Sequence, residues 1–185
     1  MAIETLKLTY ETFCQLPETK RRYEVIDGEM RDMSPSPTPE HQRVARRLFL
    51  QLASFVQEHQ VGELFFAPLD VLVSRQPLRT RQPDVLFVST QRQGIIGAQH
   101  IESGPDLVVE ILSPANTRAD MADKLQDYAA IGVQECWLVS PEAQTIEVLH
   151  RAVPHFERAG LYGIGDVMTS NVLPGLQLHV EALWS

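Results

Sequence analysis

Among the ionisable residues of this chain, Glu110 occupies the costliest position. In the run PDLVVEILSP, residues 105–114, every residue from Leu107 to Leu112 is a large aliphatic except this one. A near-continuous aliphatic run of strand length marks a strand buried on both faces of a sheet. An unpaired carboxylate there costs on the order of several kcal/mol unless a cation or a metal meets it. Two Pro-Asp pairs offer a second carboxylate, Pro83-Asp84 and Pro105-Asp106. Asp106 and Glu110 lie on one strand with Cα atoms about 13 Å apart at strand rise, too far for one ion to bridge. Asp84 starts a different run, PDVLFVS, and a neighbouring strand would bring it within about 4.8 Å of the Glu110 strand. Two carboxylates converging from adjacent strands form a hard, oxygen-lined site suited to Mg²⁺ or Mn²⁺. Asp106 reads more simply as a residue at a strand start or turn.

If such a site were to hydrolyse phosphodiesters, it would also need a cation to orient water and offset the charge developing on the phosphate. Lys124 is the candidate. It lies on the helix following the Glu110 strand, at the edge of a stripe formed by Met121, Leu125 and Tyr128. The alternative is a surface lysine paired with Asp120 at helical spacing. Glu24, within RRYEVIDGEM, and His41, at the start of the first long helix, could support the site, or serve only as hairpin and surface residues. Asp70 interrupts a strand run as Glu110 does, and could equally face solvent. His59, His100, His150, His155 and His179 show no metal-ligand spacing such as H-E-x-x-H. The chain contains no P-loop, no G-x-S-x-G and no G-x-G-x-x-G.

The elements that must position these residues follow from pattern. The spacing predicts a short helix over LTYETFCQL, then a hairpin turning at Asp27-Gly28. A Pro/Ser loop, SPSPTPE, leads into a helix from Glu40 to about His59, with Val44, Leu48, Phe49, Leu52, Phe55 and Val56 recurring at helical spacing and Gly62 as its stop. Three strand runs follow: ELFFAPLDVLVS, PDVLFVS and DLVVEIL. A second helix, capped by Asn116 or Thr117, ends at Gly132, and ECWLVS is a further buried strand. The tail reads as short strands with turns. At 185 residues this is one mixed α/β domain over 1–185, large enough for a core without disulfides. Its two cysteines, Cys14 and Cys136, read as ordinary buried thiols in a reducing cytosol. With no signal-like N-terminus and no membrane-length apolar run, the expectation is a soluble, cytoplasmic protein without a membrane partner.

The net charge of −8 argues against a general nucleic-acid binder, but the deficit is local. Residues 1–100 hold 12 Lys/Arg and 12 Asp/Glu, whereas residues 101–185 hold 4 and 12. The first half groups its cations as Lys20-Arg21-Arg22, then Arg43, Arg46 and Arg47, then Arg75, Arg79 and Arg81. These are either solvated faces or phosphate contacts.

The ordered set of Asp84 after Pro83, VVEIL at 108–112 and a nearby lysine resembles the PD-(D/E)xK nuclease superfamily. More closely, YEVIDGEM, SPTPEHQ, APLDV, RQPDVLFV, PDLVVEILSP, ADMADKLQDYAAIGVQECWLV and LPGLQL resemble the Uma-two family of restriction-endonuclease-like proteins, over roughly residues 8–183. The resemblance implies a restriction-endonuclease-like core of helix, three strands, helix and strand, with a central four-stranded mixed sheet and extra strands at both ends. It implies a metal-dependent endonuclease acting on DNA, with Asp84, Glu110 and the Ile111 backbone carbonyl holding Mg²⁺ or Mn²⁺. Nucleases of this kind often dimerise, so a homodimer is compatible with it. The superfamily pattern places its lysine two residues after the acid, where this chain has Leu112. In this group a lysine from the following helix takes that place, which maps onto Lys124. Two rival expectations stand beside it: a nucleic-acid-binding module that keeps the fold without efficient cleavage, and a structural or protein-interaction role in which Glu110 pairs internally with Lys124 or an arginine.

Overall fold

A computed structural model of the chain describes residues 7–17, 23–33 and 37–184. Lys20, Arg21 and Arg22, and residues 34–36 of the Pro/Ser loop, lie outside these residues. After a four-residue helix α1 (Tyr10–Phe13), strands β1 (Tyr23–Ile26) and β2 (Glu29–Asp32) form a hairpin. Its turn residues Asp27 and Gly28 both take positive φ, 53° and 81°, as a two-residue hairpin requires. Helix α2 (Pro39–His59) starts with Thr38, whose hydroxyl accepts from the His41 amide at 3.2 Å, and with Pro39 in the first turn.

Helix α2 stops at Gln60, in the left-handed region at φ 53°, and not at Gly62 as expected. Gly62 has a different task. It opens β3 (Gly62–Phe66) where that strand presses on β6 (Val85–Ser89), and a Cβ there would lie 2.2 Å from the Val88 carbonyl oxygen. Gly62→Ala is therefore expected to destabilise the fold by roughly 1–3 kcal/mol, the range for overpacking. Urea unfolding would show this as a lower midpoint at unchanged slope; an unchanged midpoint would mean that β3 shifts freely.

The run ELFFAPLDVLVS is two strands, not one. Pro68 lacks the N–H a ladder needs, so β3 ends before it. The continuation, β4 (Val71–Arg75), pairs with β5 (Leu78–Arg81) in a separate two-stranded sheet. The remaining elements are β7 (Leu107–Ile111), α3 (Arg118–Ala130), β8 (Glu135–Ser140), β9 (Thr145–Ala152), β10 (His155–Tyr162), β11 (Val167–Met168) and β12 (Leu178–His179).

The central sheet has six strands in the order β10-β9-β8-β7-β6-β3, rather than the four expected. Strands β9 and β10, eight residues each, extend it beyond β8 as a hairpin. Among the described strands only β7 and β8 pair in parallel, and α3 connects them. Period-two alternation divides β7 between two layers. Leu107, Val109 and Ile111 pack with Val44, Leu48, Leu52 and Val56 of α2, while Val108 packs with Tyr128 of α3. Glu110 falls on the α3 side by the same alternation. Among the described residues, no helix is long and apolar enough to cross a membrane.

Candidate active site

Asp84 directly precedes β6. The first pair between β6 and β7 is Val85 with Val109, so Asp84 stands across from Glu110. Its amide donates to the Val109 carbonyl at 3.1 Å, and its Oδ2 accepts from the Ile111 amide at 2.8 Å. His41, one turn into α2, places Nε2 3.3 Å from the same oxygen. The His41 ring is buried, and its Nδ1 has no hydrogen-bond partner among the described residues.

Glu110 is 4% exposed. Lys124 Nζ donates to Oε1 at 3.0 Å and to Oε2 at 2.8 Å, and the Tyr128 hydroxyl donates to Oε1 at 2.5 Å. The costly carboxylate thus meets an ammonium and a phenol held one helical turn apart on α3. Asp120, the other partner considered for Lys124, instead closes the helix start with the Thr117 hydroxyl and amide. Burial pushes the Glu110 carboxyl above its ordinary range; Lys124 opposes that push and the Asp84 charge adds to it. Burial also works against the Lys124 charge, but Glu110 and then Glu24 outweigh it and hold the ammonium above the ordinary lysine value.

A network of acids and arginines fixes α3 over this pair. Glu24 accepts from Arg81 Nη1 at 2.9 Å and from the Gln82 amide at 3.1 Å, and its Oε1 lies 3.6 Å from Lys124 Nζ. Arg81 also binds Asp127 at 2.6 Å and pairs with Asp123. Arg79 spans Asp123 at 2.6 Å and Asp127 at 2.7 Å. Arg79 and Arg81 are therefore not phosphate contacts but internal braces between β5 and α3. Arg47 is also engaged, donating to the Leu183 carbonyl at 3.0 Å, whereas Arg43 and Arg46 stay exposed. Asp106 is structural: its carboxylate accepts from the Ser89 amide at 2.7 Å and faces Arg92 at 3.3 Å. Asp70 accepts from Gln82 Nε2 at 3.1 Å instead of facing solvent alone.

Glu24, His41, Asp84, Glu110, Ile111 and Lys124 all line one open cavity of about 610 Å³. Sequence reasoning missed Tyr128, which it placed in the apolar stripe. The signal was available, since a tyrosine one turn beyond Lys124 brings a hydroxyl to the same carboxylate. It also missed the match between Arg79 and Arg81, two apart on a strand, and Asp123 and Asp127, four apart on a helix. Leu112, in the position of the superfamily lysine, packs with Val108, Tyr128 and Leu138.

The oxygens of Asp84, Glu110 and the Ile111 carbonyl form a hard donor set whose chemistry fits Mg²⁺ or Mn²⁺. Among the described residues, no three His, Cys, Asp or Glu side chains converge as a cage. The two carboxylates would have to be completed by backbone oxygen and water, which Mg²⁺ commonly keeps.

Comparison with known proteins bears on this arrangement. A family model described as "Uma2: Putative restriction endonuclease" matches residues 10–181. Five chains of solved structure match. One is described as a putative nuclease belonging to DUF820 from Anabaena variabilis; it is 21% identical, with a TM-score of 0.77 over 96% of this chain and 97% of its own. At that identity the likeness is one of fold, and it shows the mixed α/β architecture described above. No curated protein sequence matches the chain.

Proposed function

The chain belongs to the Uma2 family, described as putative restriction endonucleases, and from that premise we propose that it is an Mg²⁺- or Mn²⁺-dependent endonuclease hydrolysing DNA phosphodiester bonds in the cytoplasm. The observation that carries this reading is the placement of Asp84 across from Glu110, at an open cavity that Lys124 also lines. Asp84, Glu110 and the Ile111 carbonyl would hold the ion, which when bound acidifies a water and neutralises phosphate charge. His41 and the Ile111 amide orient the Asp84 carboxylate. Tyr128 and Lys124 hold Glu110, and Lys124 supplies the positive charge that offsets the developing phosphate charge. Glu24, fixed by Arg81, keeps Lys124 charged and aimed at the cavity.

Incubation of supercoiled plasmid with each metal tests this. Nicked and linear products should form with Mg²⁺ or Mn²⁺, vanish with EDTA, and be absent for Asp84→Asn.

One observation favours the rival, a DNA- or protein-binding module that does not cut: Glu110 already has a cation in Lys124. Under that reading neither metal would bind.

The exposed arginines of α2 yield a separate expectation. If Arg43 and Arg46 track the phosphate backbone, Arg43→Ala and Arg46→Ala each weaken DNA binding uniformly across sequences. Each also makes the salt slope shallower by roughly one. Unchanged slopes would mean that this face never meets DNA. Arg47→Ala should leave the slope alone, because Arg47 holds the Leu183 carbonyl.

A further inference from the structure

Resting on the nuclease reading, we infer that the groove beside Asp84 seats an unpaired nucleobase, so that the protein acts on single-stranded or locally unpaired DNA in preference to a regular duplex. The groove, about 510 Å³, runs between α2 and the end of β3, and shares His41 and Asp84 with the active-site cavity. Its wall is aromatic. Phe66, the last residue of edge strand β3, is 63% exposed and meets Phe49 of α2 edge to face, with ring centroids 5.0 Å apart. Arg43 and Arg46 line the same groove from α2 and are exposed.

An open aromatic ring flanked by cations is the recognition chemistry of single-stranded nucleic acid: bases stack on the ring, and the guanidinium groups attract the phosphates. This charge complementarity is local, because the protein as a whole carries −8. In a regular duplex the base faces are covered by their neighbours, so a base reaches such a ring only after leaving the stack. A strand whose base rests against Phe66 carries its phosphate toward Asp84, so one groove selects the nucleotide and the other cuts beside it.

The test is fluorescence anisotropy in EDTA, where no cleavage intervenes, with labelled oligothymidylate either free or annealed to oligoadenylate. Wild type should bind the free strand more tightly than the duplex. Phe66→Ala should weaken free-strand binding roughly tenfold, the scale of losing one base–aromatic stack, and leave duplex binding unchanged. Phe66→Trp should restore it, with its indole fluorescence quenched on binding. Thermal melts and sedimentation velocity on each variant establish that it is folded and report its mass. Unchanged free-strand affinity in folded Phe66→Ala, an equal loss on duplex, or a fall in mass showing that Phe66 joins two copies would each overturn the inference while leaving the nuclease reading intact. If wild type bound neither form of DNA, the inference would fall, while the plasmid assay with Mg²⁺ or Mn²⁺ decides the nuclease reading separately.

Discussion

Lys124→Ala is expected to lower DNA cleavage by roughly 10²-fold or more, the scale of losing one preorganised electrostatic group. It should also lower stability, because it removes one partner of a buried pair and leaves Glu110, 4% exposed, with only Tyr128. Breaking such pairs costs about 3–5 kcal/mol. Two further readings separate these effects. Burial already raises the Glu110 carboxyl, and without the lysine it rises further. A carboxyl whose native value lies above its unfolded value favours the folded state at low pH and loses that advantage as pH rises through the native value. The stability gap between Lys124→Ala and wild type should therefore narrow as pH is lowered toward the ordinary glutamate range. Mn²⁺ should also narrow the gap at neutral pH by supplying the missing positive charge, without restoring the rate. Full activity in Lys124→Ala would show that the lysine only balances Glu110.

Glu110→Gln is expected to abolish metal binding and with it cleavage, by roughly 10³-fold or more, since the charge stabilisation a metal supplies amounts to several kcal/mol. Its effect on stability follows from the ion pair. A carboxylate lacking any cation would be relieved by conversion to the amide. Here the change instead leaves the Lys124 ammonium buried, with Glu24 3.6 Å away as its remaining partner. A glutamine oxygen can still accept from Lys124 and Tyr128. We therefore expect a loss of about 2 kcal/mol in metal-free buffer, below the full cost of breaking a buried pair. Calorimetry with Mn²⁺ and chemical denaturation measure the two parts independently. A variant as stable as wild type that still binds metal would remove Glu110 from the site.

Much of this site was legible because strands carry it. The lone acid in LVVEIL has to point at something, and Pro83-Asp84 at the head of a second buried run supplies an acid on a neighbouring strand. Lys124 was legible as a residue at the edge of an apolar stripe on the connecting helix, though not the two hydrogen bonds it makes. What stayed hidden required knowing which non-neighbouring elements overlie each other. Pro68 turns the chain out of the central sheet, and the β4–β5 hairpin so formed lays Arg79 and Arg81 against α3. Without that placement, two buried braces look like a cationic face. The same limit applies to the sheet. Strands β9 and β10 read as tail strands, and only their pairing with β8 shows that they widen the central sheet. His41 could be placed at a helix start by Thr38 and Pro39, but its approach to Asp84 depends on α2 crossing the end of β6.

The most direct measurement is a calorimetric titration of the metal-free protein with Mn²⁺, repeated on Asp84→Asn and Glu110→Gln after melts confirm that both fold. The account predicts a saturable binding heat in wild type and its loss in both variants. Absence of heat at millimolar Mn²⁺ in wild type, or equal heat in all three proteins, would contradict it.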